Sequence, residues 1–208
     1  FYGLARFLHT SNRDMPLEGD ANFGKLKKEY AKGTELKGKT LGVLGFGRIG
    51  QATAKVALGA GMKVIAFDPF LEKANLELDF FDGQKVNFEI KTISKEEVLK
   101  QSDFITLHVP AQKDYVIGAP EFEIMKKGVF IANAARGGVI NEVALVKAIE
   151  SGKVAGAALD VFENEPKPEM QLLMNSGLSL TPHTGAATNE AQDRIGTELA
   201  EQIISILK

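Results

Sequence analysis

The chain contains no cysteine, which excludes a disulfide framework and any thiolate metal site and gives no sign of a secreted scaffold. The compartment expected by default is the cytoplasm. No apolar run approaches the roughly 20 residues that a membrane span needs, and the start shows no signal-peptide pattern. Charge of one sign is missing too: 25 Lys+Arg against 27 Asp+Glu leave a formal charge of −2. That balance gives no electrostatic footprint for nucleic acid or an anionic membrane. Histidine occurs only three times, so each one can be asked what it does. What remains is ordinary for a globular core, 208 residues with a hydrophobic share of 44%. The partner expected is a small molecule, with no nucleic acid, no membrane and no metal.

Apolar runs rich in Val, Ile, Leu and Phe recur along the chain: TLGVLG (40–45), KVIAFD (63–68), DFITLHV (103–109), GVFIANA (128–134), VAGAALDV (154–161) and GLSLT (177–181). Between them lie RIGQATAKVALGAG, SKEEVLKQS, PEFEIMKK and NEVALVKAIESGK, with apolar residues at three- and four-residue spacings. Strands that are apolar throughout, alternating with amphipathic helices, predict a parallel sheet covered on both faces. The fold class expected is a doubly wound α/β domain of the Rossmann type, with six or seven strands and helices on both sides. FYGLARFLHTSNRDM reads as a helix, with Phe1, Leu4, Phe7 and Leu8 on one face. The polar stretch from there to Gly38 reads as a loop with a short helix at most. Residues 69–92 are the least regular and are allotted one short strand.

LGVLGFGRIGQ places Gly45, Gly47 and Gly50 in G-x-G-x-x-G spacing, after a strand and opening a helix. In that context the first glycine permits a tight turn, the second lets a pyrophosphate approach, and the third lets helix and strand pack. The backbone N–H groups of Arg48 and Ile49 then face the phosphates at the helix N-terminus. Asp68 closes the next strand, 23 residues after Gly45, near the roughly 20 expected of the acid that bonds an adenosine ribose. A carboxylate there repels a 2′-phosphate, so the expected cofactor is NAD rather than NADP. The bland alternative is a glycine-tight turn with Asp68 opening an Asp-Pro turn.

Three further motifs follow: NAARGGVI around Arg136, ALDVFENEP (158–166) and TPHTGAAT around His183. Together with GFGRIG, and in this order, they resemble the signatures of the D-isomer-specific 2-hydroxyacid dehydrogenases. Within that family HTGAATNEAQ is similar to the branch that oxidises 3-phosphoglycerate. The residue types suit hydride transfer: a histidine can take and return the hydroxyl proton near neutral pH. A carboxylate beside it favours the imidazolium and orients the ring, and a planar guanidinium suits a substrate carboxylate. His183, Glu165 and Arg136 are the candidates for these roles. Each alone reads equally well as a turn histidine, a loop acid and a surface ion-pair donor.

The resemblance implies further cofactor contacts at Val109, the backbone of Ala134 and Ala135, Arg136, Asp160 near the carboxamide, and His183 with Thr184, Gly185 and Ala186 beside the nicotinamide. On chemistry alone Asp160 is also a loop-capping acid. His108 reads as a strand-end residue beside the cofactor pocket, and His9 as a helix-surface residue.

Two departures from the family pattern stand out. AQKDYVIGAP follows HVP where a Leu-Thr type stretch is usual, and Asn141 stands where Asp is common, a helix N-cap exchange. The resemblance also implies a second, substrate-binding domain formed by segments before and after this one, and a homodimer. The opening at Phe1 and the ending in TELAEQIISILK agree with a cofactor domain, residues 1–208, cut from a longer chain. A glyoxylate/hydroxypyruvate reductase, a D-lactate dehydrogenase and an NAD(H)-sensing corepressor-like module are the competing readings.

Overall fold

The computed structural model describes residues 1–207. Six strands form one parallel sheet: β1 (Thr40–Leu44), β2 (Lys63–Phe67), then, after the hairpin strands β3 (Lys73–Asp79) and β4 (Lys85–Lys91), β5 (Phe104–Leu107), β6 (Val129–Asn133), β7 (Val154–Leu159) and β8 (Leu178–Leu180). Its order is β2-β1-β5-β6-β7-β8, with every neighbouring pair parallel. All six predicted apolar runs are these strands. The order reverses between β1 and β5, which is where open α/β sheets leave a crevice at their carboxyl ends.

The connecting helices are α1 (Tyr2–Ala5), α2 (Leu8–Glu29), α3 (Arg48–Gly59), α4 (Lys95–Gln101), α5 (Ala119–Ile124), α6 (Glu142–Glu150), α7 (Met170–Leu173) and α8 (Asn189–Leu207). Successive strand residues point to opposite faces, so the core divides in two. Ile105 and Ile131 join Val98 and Leu99 of α4, Phe122 of α5 and Leu145 of α6. Phe104 and Phe130 join Leu4 of α1, Ala54 and Ala57 of α3 and Leu76 of the hairpin. Both faces are therefore covered. Phe104 and Phe130 stack at 4.9 Å, and Phe1 meets Phe104 edge-on at 6.1 Å.

The N-terminal segment departs from expectation. The predicted single helix breaks at Phe7, whose φ is 53°, and the polar stretch that read as loop is helical to Glu29. Phe1 and Leu4 pack on this chain's own sheet, while Leu8 is exposed, so the four residues do not form one continuous face. His9 is not a simple surface residue: both ring nitrogens are sealed from solvent and have no partner among the described residues.

Residues 69–92 hold two strands rather than one. β3 and β4 pair antiparallel, Leu76 opposite Phe88 and Leu78 opposite Val86, and pack against α3 outside the main sheet. The alternation of apolar and charged residues on both sides of Asp82-Gly83 specifies that hairpin, and Gly83 takes the left-handed conformation (φ 85°) that the turn requires.

At the end of β5, burial pushes the His108 imidazole down to about 4, and its Nε2 lies 3.1 Å from Thr106 Oγ1. The same backbone seals the glycine turn, since a Cβ on Gly45 would lie 2.5 Å from the His108 carbonyl oxygen.

Two stability predictions follow from this packing. Leu76→Ala empties a fully buried site and should cost about 2–4 kcal/mol in urea unfolding, whereas Phe81→Ala, at a fully exposed tip, should stay within about 0.5 kcal/mol. For His108 the native imidazole resists a proton that the unfolded chain accepts near pH 6.5. Its contribution is thus complete above that pH and lost as pH falls toward 4. The loss is about 2 kcal/mol after allowing for partial solvent access. His108→Gln should flatten that part of the stability curve between pH 7 and 4.5, and an unchanged curve would contradict the assignment.

Candidate active site

The glycine turn sits between β1 and α3. Gly45 takes φ 89° and donates its N–H to Phe67 O at 2.9 Å. A Cβ on Gly50 would lie 2.2 Å from Gly45 O, while one on Gly47 would meet nothing within 4 Å. The third glycine is thus needed for close packing, and the second faces open space. No side chain caps α3, so the N–H groups of its first turn, those of Arg48 and Ile49 among them, lack intrahelical acceptors and carry the positive end of the dipole. Val109 closes this corner, with its Cγ1 3.0 Å from the Cβ position of Gly45. Asp68 lies alongside and accepts the Phe46 N–H at 2.7 Å and the Phe70 N–H at 2.9 Å. This cradle of unpaired N–H groups beside a carboxylate fits a dinucleotide.

At the other side of the crevice, three turns leave β6, β7 and β8. The first carries Arg136. Asn133, buried, accepts the Ala135 N–H through Oδ1 at 3.0 Å and donates through Nδ2 to Arg136 O at 3.0 Å. Arg136 donates to Ala135 O at 2.6 Å and is exposed, as is Ala134. The second turn carries Asp160 and Glu165. The third carries His183, whose φ of 54° puts it in the left-handed region.

Asp160 joins the second and third turns. Its Oδ1 accepts the Thr181 hydroxyl at 2.6 Å and the Thr184 N–H at 2.8 Å, and its Oδ2 accepts the Gly185 N–H at 2.7 Å. Burial acts to raise its pKa, but these three bonds and the nearby His183 outweigh it and hold the carboxyl below the usual range. It caps the third turn, the structural role open to it from sequence. Ala134, Asp160, Thr184 and Gly185 line one small cavity of about 300 Å³. Ala186 lies in the same exposed turn.

His183 Nδ1 and Glu165 Oε2 are 2.8 Å apart. The other Glu165 oxygen accepts the Phe162 N–H at 3.0 Å. The His183 bond first, then the Phe162 N–H, draws the Glu165 carboxyl below the usual range. An ionised carboxylate can only accept, so Nδ1 carries a hydrogen, and Nε2 has no protein partner among the described residues. Phe162, Pro166, Leu180 and Pro182 wall an apolar recess of about 440 Å³ beside the pair.

Glu165 and His183 are thus brought into direct contact, and Arg136 is not bonded to either. It reaches them through Gly137, where a Cβ would lie 1.8 Å from Phe162 O; glycine there lets the arginine turn abut the Glu165 loop. Sequence reading gave no role to Asn133 and Thr181, although they open the motifs NAARGGVI and TPHTGAAT. The only signal available was their type, polar residues ending apolar strands. Asn141 caps α6 by accepting the Ala144 N–H at 2.8 Å, as its position suggested.

Comparison with known proteins completes the picture. The model of the D-isomer specific 2-hydroxyacid dehydrogenase NAD binding domain matches residues 2–185. Among curated relatives, a D-3-phosphoglycerate dehydrogenase from Archaeoglobus fulgidus is 40% identical over 100% of this chain and 38% of its own length. A hydroxypyruvate reductase from Thermotoga maritima is 45% identical over 88% of this chain and 58% of its own. The chain therefore spans well under two thirds of these relatives. Among solved structures, a glyoxylate reductase from Paecilomyes thermophila superposes with a TM-score of 0.80 at 35% identity, covering 99% of this chain and 58% of that one. An NAD-dependent formate dehydrogenase from Staphylococcus aureus in complex with NAD gives 0.79 at 28% identity, covering 100% of this chain and 59% of that one. With the glycine turn, the strand order and the three carboxyl-end turns in the same chain order, the protein belongs to the D-isomer specific 2-hydroxyacid dehydrogenase family, as its NAD binding domain.

Proposed function

We propose that this chain is the NAD-binding and proton-transfer domain of a dehydrogenase acting on a small 2-hydroxy acid. The observation that carries the reading is the 2.8 Å contact between His183 Nδ1 and Glu165 Oε2, which leaves Nε2 as a free base. When bound, NAD supplies the acceptor for the hydride leaving C2 of the substrate. His183 Nε2 takes the hydroxyl proton as that hydride departs, and Glu165 stabilises the resulting imidazolium. Arg136, exposed on its turn, holds the substrate carboxylate and polarises the oxygen that becomes the carbonyl. The first turn of α3, from Gly47 to Gly50, receives the pyrophosphate, and Asp68 the adenosine ribose. Lone pairs remain on both Asp68 oxygens for ribose hydroxyls. Val109 meets the cofactor beside the glycine turn, while Ala134, Ala135, Asp160 and the segment His183–Ala186 surround the nicotinamide end, Asp160 chiefly by fixing that turn.

The substrate we favour is 3-phosphoglycerate, oxidised to 3-phosphohydroxypyruvate on the way to serine. HTGAATNEAQ supports this, as do the phosphoglycerate dehydrogenases among the relatives, including one from Methanocaldococcus jannaschii at 44% identity. The 45% identity to a hydroxypyruvate reductase supports hydroxypyruvate or glyoxylate reduction as the second reading.

The likeness to this family supports a homodimer; Leu8, Leu17 and Phe23 lie exposed along α2, though not on one stripe. The lack of cysteine suits the cytoplasm, and no helix among the described residues is long and apolar enough to cross a membrane.

In the full-length protein, His183→Asn should lower kcat by about 10³-fold or more, in the range lost when a general base is removed, and leave NADH affinity within about twofold. Turnover near the wild-type rate would overturn the proton-transfer assignment and favour an NAD(H)-sensing module.

A further inference from the structure

Beyond the His183–Glu165 pair lies a second pair of acids that the chemistry above does not use. Glu142, the first residue of α6, is buried at 7% exposure. Its Oε1 accepts the Glu163 N–H at 2.8 Å, and Glu163 Oε1 accepts the Glu142 N–H at 2.9 Å. The bonds are reciprocal and join two segments 21 residues apart. From the loop that departs from the family pattern, Tyr115 adds its hydroxyl, donated to Glu163 Oε2 at 3.2 Å.

Helix stability does not explain this arrangement. Asn141 already caps α6, so the Glu142 side chain is free to turn outward from its own helix. Burial, and the neighbouring Glu163, Glu169 and Glu165, raise the Glu142 carboxyl above the usual range, opposed only by the Glu163 N–H. A carboxylate is a costly side chain in that place, and a structure selected for stability alone would put a neutral group there.

Its position suits another purpose. Glu142 follows Arg136 by six residues along one continuous turn, and Glu163 precedes Glu165 by two. Gly137 presses on Phe162 O from the same side. The Glu165 loop is therefore held between the arginine turn and the start of α6. Arg136 has no direct bond to the pair; Asn133 holds its backbone, and this clasp and the glycine contact add the ties between its turn and the Glu165 loop.

We propose that Glu142 is a positioning residue for the reaction: by accepting the Glu163 N–H it registers the Glu165 loop, and through it His183, against the turn that carries Arg136. The inference rests on the proton-transfer reading of His183 and Glu165. It requires an acceptor oxygen at the reach of a glutamate and does not require the charge. A shift of about 1 Å in a catalytic group can cost up to two orders of magnitude in rate.

The test is steady-state kinetics on the full-length protein carrying Glu142→Ala, Glu142→Gln or Glu142→Asp, with NADH affinity measured by nicotinamide fluorescence and His183→Asn run in parallel. Glu142→Ala should lower kcat at least tenfold with KM for the 2-hydroxy acid and NADH affinity within about threefold of wild type. Glu142→Gln keeps the acceptor and should recover most of the rate. Glu142→Asp keeps the charge, falls short of the N–H, and should behave like Ala; it carries the test should the alanine variant not fold. Wild-type kcat in the folded Ala or Asp variant would overturn the proposal, as would a Gln variant as slow as Ala. Substantial turnover by His183→Asn would instead overturn the reading on which the proposal rests.

Discussion

One buried carboxylate organises the carboxyl end of the sheet. Asp160 leaves β7 and receives three donors from the turn that leaves β8: the hydroxyl of Thr181 and the N–H groups of Thr184 and Gly185. Backbone donors drawn out of water need acceptors, and here one side chain supplies them for two of the turn's N–H groups. Under this constraint His183 adopts its left-handed backbone, and Glu165, five residues after Asp160 on the same loop, comes within hydrogen-bond distance of it. Glu165 thus hangs from the end of β7, and the His183 turn that leaves β8 is tied to the same place through Asp160. Close approach adds the rest: Gly50 against Gly45 on one side of the crevice, Gly137 against Phe162 on the other.

These contacts settle how the histidine is presented. Glu165 is drawn toward its ionised form by His183 and by the Phe162 N–H, so it fixes a hydrogen on Nδ1 and leaves Nε2 without a protein partner among the described residues, as the proposed proton transfer needs. His108, at the end of β5, is the opposite case: burial keeps it neutral down to about pH 4, and it has no carboxylate partner. Two histidines at the same end of one sheet are therefore set to different tasks by their surroundings.

The sheet was legible because its strands are apolar throughout and its helices periodic. The glycine turn, Asp68, Arg136, Glu165 and His183 were legible because each stands in a motif of fixed spacing. The hairpin was underread: Asp82-Gly83 flanked by alternating residues is its signal, but the charged residues of 73–91 made the region look irregular. The part of α2 beyond Met15 was missed because its sequence is polar, carries Pro16 and lacks an apolar stripe; only Leu26 of the helix is buried. The roles of Thr181 and Glu142 depend on partners 21 residues away, and no local pattern announces such bonds; Asn133 bonds only its own turn, and its type alone marked it.

The most direct test of the account is a titration of the chain with NADH and NADPH, followed by nicotinamide fluorescence. The account predicts saturable binding that strongly favours NADH, since it assigns the pyrophosphate to the first turn of α3 and has Asp68 repel a 2′-phosphate. Equal affinity for both cofactors, or no binding of either, would contradict it.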